Sequence, residues 1–287
     1  MLAHRRFPAA ARATGRGPGA VILLPPGPPD EGLDTTAASY AVGVSLRPED
    51  PLAQSVVQAI RHGTPEELSA LLDAHPALAA ERLVGGSNAA WNGRTLLHVA
   101  TDWPGHFPGA GAKVAALAAA GADVDAHFSG AHEETPLHWA ASSDDVEALD
   151  ALLNAGADID APGAAIGGGT PLDDAVAFGQ WTAARRLVER GAHPKLWNAA
   201  GLGLMDRLEA ELDGPTPPSA DELTNAFWCA CHGGQRAAAE YLLSRGADLD
   251  WVGHDGLTAL DASRRSGAGA LAEWLVEQGA KTAADLA

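Results

Sequence analysis

The chain has two cysteines in 287 residues, too few for a disulfide framework. It has no apolar run near the roughly 20 residues that a membrane-spanning helix needs. The only apolar run of the N-terminal segment, residues 20–24, is too short even for the ~7–15-residue core of a signal peptide. Basic residues are also scarce: 19 Lys and Arg stand against 37 Asp and Glu, a net charge of −18. Four of those 19, Arg5, Arg6, Arg12 and Arg16, precede the first acidic residue, Asp30, which leaves 15 basic against 37 acidic groups in residues 30–287. Such an acidic body repels phosphate backbones, because nucleic-acid affinity rests on Lys and Arg displacing counterions. DNA, RNA and membrane are therefore not expected as partners, and a basic protein surface is. The expected setting is the cytoplasm.

The chain does contain punctuated helix pairs. In residues 134–160, Thr135 is a good N-cap, and Pro136 follows at the first helical position, where its missing N–H costs nothing. Leu137, Ala140 and Ala141 give that helix a small apolar face, and residues 142–145 break it. Val146, Leu149, Leu152 and Leu153 then form the stripe of a second amphipathic helix, ended by Gly156. Neither helix can bury its face alone, so the pair needs neighbours.

The neighbours recur in phase. Gly-Ala pairs stand at Gly121, Gly156, Gly191, Gly246 and Gly279, with steps of 35, 35, 55 and 33 residues. The helix openings keep time with them: Thr95-Leu-Leu-His98, Thr135-Pro-Leu-His138, Thr170-Pro-Leu-Asp173 and Thr258-Ala-Leu-Asp261. These motifs resemble ankyrin repeats, whose period is about 33 residues and whose signature includes Thr-Pro-Leu-His-x-Ala. The resemblance runs from about Pro51 to the C-terminus. It implies an all-α ankyrin-repeat solenoid of about seven helix–turn–helix units with β-hairpin fingers.

Residues 1–50, rich in Pro, Gly and Ala, show no helical or strand period and read as a segment outside the repeat domain of 51–287. That segment is expected to be disordered, or to arise from a start site placed too early in a high-GC bacterial gene. Repeat one lacks the Thr-Pro-Leu-His opening. Repeat two carries an insertion, residues 103–111, containing Trp103, His106 and Phe107. Repeat five lacks its hairpin, and Trp197 and Trp228 are read as replacing the motif histidine in repeats five and six. The stretch around them is expected to be the poorly packed part of the array.

Catalytic and metal motifs do not survive inspection. Cys229-x-Cys231-His232 suggests zinc, but residues i and i+2 of a helix point about 200° apart, and no second ligand pair exists. Asp173-Asp174 points two ways and makes a poor acid–base dyad. The Gly167-Gly168-Gly169 cluster lacks the Gly-Lys-Ser/Thr ending of a phosphate loop. No enzyme, no cofactor and no metal site is expected.

The resemblance implies instead a monomeric, non-enzymatic module or scaffold that grips a protein on its concave face. The family's contact positions are the residue before the Thr-Pro motif and the pair ending the first helix. Carried over, they give Arg94 and Glu134, and then Arg61 and His62, Asp102 and Trp103, Ser142 and Ser143, Phe178, Gly201 and Leu202, His232, and Arg265. Phe107 of the insertion and Trp251 of the last finger join them as aromatic anchors. Two alternatives stand beside this reading. One is a small-molecule or peptide pocket near the insertion, lined by Trp103, Phe107, Trp139 and Phe178. The other is an inhibitor or immunity-type partner of an enzyme.

Overall fold

The computed structural model describes residues 45–85, 93–129 and 132–287. The chain divides into two compact units, 45–174 and 175–287 of the described residues.

The first unit opens with strand β1 (Ser45–Leu46), followed by α1 (Pro51–Arg61) and α2 (Pro65–Ala74). Thr64 and Glu67 start α2 with a capping box: the Thr64 N–H donates to Glu67 Oε2 at 2.8 Å, and the Glu67 N–H to Thr64 Oγ1 at 3.2 Å. A 3₁₀ turn (Leu78–Ala80) leads to β2 (Arg82–Leu83) and β3 (Arg94–Thr95). β2 pairs parallel with β1 and antiparallel with β3. Leu46 is buried, so ordered chain reaches upstream of the boundary expected at Pro51, while the rest of the expected N-terminal segment lies outside the described residues. The helices α3 (Leu96–Ala100), α4 (Ala110–Ala119), α5 (Pro136–Ser142) and α6 (Val146–Asn154) follow, and α7 (Pro171–Ala177) begins.

The second unit continues with α8 (Trp181–Glu189), α9 (Leu196–Leu202), α10 (Met205–Leu212), α11 (Ala220–His232), α12 (Arg236–Ser244), α13 (Ala259–Arg265), α14 (Gly269–Glu277) and a short α15 (Ala283–Leu286). A continuous core joins Ala199, Leu208, Phe227, Ala230, Leu242, Leu260 and Leu275. α9 and α11 pack with backbones nearly touching, since a Cβ added at Gly233 would stand 2.0 Å from the Gly201 carbonyl oxygen. This junction, expected to pack poorly, is among the tightest in the unit.

The punctuation read from the sequence has a physical basis at each position. All five Gly-Ala glycines carry positive φ, from 89° at Gly279 to 104° at Gly191, a region that disfavours any side chain. In the first unit the motif histidines cap and bridge. His98 Nδ1 accepts from the Thr95 N–H, while its Nε2–H donates to the Glu134 carbonyl at 3.1 Å, in the next repeat. His138 does the same with Thr135 and the Gly169 carbonyl. In the second unit Asp261 bonds the Thr258 N–H and also accepts the Ala283 N–H at 2.8 Å. Thr282 and Asp285 there form another capping box, so the chain's last residues make a capped helical turn.

The paired aspartates that follow three of the five Gly-Ala pairs are structural too. Asp125, Asp160 and Asp250 each donate a backbone N–H to the aspartate two residues before. Asp125 Oδ1 takes the Asp158 N–H at 2.9 Å, and Asp250 Oδ1 takes the Lys281 N–H at 2.8 Å, linking successive repeats. The first finger is the antiparallel β2–β3 pair, and later fingers close through backbone bonds such as Phe128 N–H to Glu134 O, Ala164 N–H to Gly169 O and Gly253 N–H to Leu257 O.

One register differs from the sequence reading. The Lys195 N–H donates to Asn198 Oδ1 at 2.8 Å, so Asn198 and not Trp197 stands at the motif histidine position of repeat five. The pair ending that helix is consequently Leu202 and Gly203, not Gly201 and Leu202. The signal was weak because Pro194-Lys195 replaces Thr-Pro.

Candidate functional site

In the first unit the helix-one termini of successive repeats reach one another. Asp102, which ends the first helix of repeat two, is buried between two arginines, Arg61 at 3.1 Å and Arg94. The Arg94 guanidinium also lies 4.7 Å above the Trp139 ring. Trp139 itself is buried against His98 and Phe128, with ring centroids 4.9 and 5.4 Å away. At the edge of this network His62 is exposed, and Arg61 is half-buried.

The insertion of repeat two is fastened, not free. The His106 N–H donates to Asp145 Oδ2 at 2.6 Å, and its Nε2–H donates to the Ser143 carbonyl at 3.1 Å. Asp145 at the same time caps α6, taking the Ala148 N–H on Oδ1 at 3.1 Å. The loop thus leans on the next repeat. Trp103 and Phe107 stand half-buried on it, between exposed Pro104 and Pro108.

Eight of the residues carried over as contacts are buried, Gly201 and Leu202 among them. Glu134 gives its carbonyl to His98, and Ser142 turns its hydroxyl back to the His138 carbonyl at 2.9 Å. Asp102, Ser143, Phe178 and His232 are closed in as well. Position in the motif said nothing of whether the side chain turns out to solvent or back onto its own helix. Of the residues named for the small-molecule pocket, Trp139 and Phe178 are buried, and Trp103 and Phe107 are half-buried.

The second unit gathers aromatic and basic groups where α11 and α13 end. His232 is 2% exposed, and its ring lies 5.2 Å from that of Trp181 and 5.5 Å from that of Trp228. The Val176 carbonyl faces the ring and is its one backbone hydrogen-bond partner. Burial pushes this imidazole down to about 4, and the nearby Arg265 charge pushes the same way. Arg265 pairs through Nη1 with Asp255 Oδ2 at 2.7 Å and lies 5.8 Å above the Trp228 ring. Trp228 spends its indole N–H on the Leu257 carbonyl at 2.9 Å. His254 stands edge-on to both Trp228 and the half-buried Trp251, and meets Asn225 Oδ1 at 2.7 Å. The sequence reading placed His232, Trp251 and Arg265 here but missed Trp181 and His254. The available signal was a tryptophan at the first turn of a second helix, where repeat three has Val146.

Cys229 and Cys231 are buried free thiols within α11, and burial pushes both above the usual thiol range. Among the described residues no group of three or more His, Cys, Asp or Glu side chains could hold a metal ion. Among them also, no helix is long and apolar enough to cross a membrane.

Helix pairs opened by Thr-centred caps and tied to the next pair through one His or Asp define a helical repeat protein. Residues 109–198 match the family model for ankyrin repeats, in three copies. The chain thus contains ankyrin repeats and is of the all-α class, and ankyrin repeats are generally protein–protein interaction modules. No curated protein matches it.

Proposed function

We propose that the protein is a non-enzymatic adaptor whose helix-one ends and inserted loop grip a protein partner. The observation that carries this reading is the Arg61–Asp102–Arg94 network beside the fastened loop. It holds arginine and half-buried Trp103 and Phe107 in a preset arrangement at the surface. Arginine and tryptophan held in place lose little side-chain entropy on binding, which is the usual make-up of an interface hot spot. His62 extends this surface, and Trp251 is the corresponding half-buried aromatic of the second unit. The net charge of −18 supports a partner of basic overall charge, drawn in by long-range attraction. Two buried free thiols suit a reducing cytoplasm. The large hydrophobics found exposed, Val252, Val276 and Leu286, are few, which suits a monomer.

Affinity capture with the full chain, followed by calorimetry with the partner found, tests the reading. Trp103→Ala should lower affinity roughly thirtyfold and shift the melting point little. Intact affinity with a collapsed melting point would make Trp103 a packing residue and remove the loop from the interface.

A further inference from the structure

The Arg265 guanidinium has more hydrogen-bonding capacity than the chain uses. Asp255 engages Nη1 alone, through one carboxylate oxygen, whereas carboxylate–guanidinium pairs are frequently bidentate. Nε and Nη2, the two nitrogens on one edge of the guanidinium, have no partner. The adjacent, buried His232 is neutral, with one ring N–H, and the Val176 carbonyl faces the ring to take it. Buried donors left unmet are costly, and folded proteins keep few of them. Here two such nitrogens belong to the last residue of α13, beside the last residue of α11.

We propose that Arg265, beside His232, forms an anchor for a single carboxylate, an acidic side chain or chain end, on the protein partner. The Arg265 Nε–H and Nη2–H edge is the geometry that takes both oxygens of a carboxylate at once. The Arg265 and Asp255 side chains keep 22% and 20% exposure, so the pair stands at the rim of the fold. Trp181 and Trp228 pack the other sides of the His232 ring and hold it in place. A monoanion is favoured over a phosphate dianion because the acidic body repels the second charge. A partner of basic overall charge needs to present only one such group, and long-range attraction and local anchoring then act on different parts of it.

This inference rests on the protein-binding reading, but its test needs no partner. The full chain is titrated with sodium acetate, and with sodium phosphate and sodium chloride at matched ionic strength. The Arg265 Nε–H and His232 ring signals are followed by NMR. Acetate should shift both sets saturably, and chloride should not. Arg265→Lys keeps the charge but removes the two-pronged edge, and should weaken acetate binding about tenfold or more. His232→Phe keeps an aromatic ring between the tryptophans and should weaken it less. Shifts that follow ionic strength alone would overturn the proposal in the wild-type protein, whether or not a variant folds. Tighter binding of phosphate than of acetate, or unchanged acetate binding in Arg265→Lys, would overturn it too. Saturable acetate binding with no protein captured would sink the adaptor reading and leave the site standing. Capture of a partner indifferent to Arg265→Lys would do the reverse.

Discussion

Asp145 accepts two backbone N–H groups, one on each carboxylate oxygen: that of Ala148 in its own helix and that of His106 in the preceding repeat. The residue is almost wholly buried, so neither bond is readily replaced by water. One side chain therefore starts α6 and pins the inserted loop.

Asp145→Ala should lower the stability of the first unit by about 2–3 kcal/mol, combining a lost cap with a lost charge-assisted bond. Asp145→Asn should keep the cap and lose the loop, because an amide group would face the His106 N–H. Urea unfolding measures the first effect. Faster hydrogen exchange at His106 in Asp145→Asn, with Ala148 still protected, checks the second.

Gly233→Ala should destabilise the second unit by about 1–3 kcal/mol, since its Cβ would press 2.0 Å from the Gly201 carbonyl oxygen. Gly269→Ala is the control. It begins α14 with nothing within 4 Å of the added methyl and no positive φ, and should be neutral or stabilising by up to about 1 kcal/mol. Equal midpoints for the two variants in thermal unfolding would show that α9 and α11 can separate without cost.

Acid should weaken the second unit through His232. The unfolded imidazole takes its proton near 6.5, the folded one only near 4. Between those values the unfolded state holds more protons, so stability falls as pH falls from about 6.5 towards 4. The loss should reach up to about 3 kcal/mol. Carboxylates titrate in the same range, so the difference between wild type and His232→Phe isolates the effect. A pH-independent difference would place His232 in contact with water.

A chain starting at Pro51 should melt below one starting at Ser45. It loses β1 and the burial of Leu46, a contribution of about 2 kcal/mol. Calorimetry of the two chains decides this, and matching midpoints would mean that β1 is ornamental.

Much of the fold was legible because its punctuation is local. The Gly-Ala turns need positive φ, and the Thr-x-x-His and Thr-x-x-Asp caps close within four residues. What escaped was either too short or too distant. A two-residue strand such as β1 has no alternation to read, and nothing in His106 announces Asp145, a partner in the next repeat. The site suffered more than the fold. Motif position identified Ser142 and His232 as ends of first helices and Asp102 as lying just past one, but not that each would turn inward. It also misplaced repeat five by one residue, where Lys195 and Asn198 replace the Thr and His that mark the register elsewhere.

In five links between successive repeats, one partner is always the main chain. His98 and His138 donate to the carbonyls of Glu134 and Gly169, and Asp125, Asp250 and Asp261 accept from the amides of Asp158, Lys281 and Ala283. Such a joint makes no demand on the side chain of the residue it grasps. A neighbouring repeat can therefore drift, shrink or be copied as long as its backbone arrives at the same height. This gives the array a ready route to gaining and losing repeats, and leaves the outward side chains free to follow a changing partner.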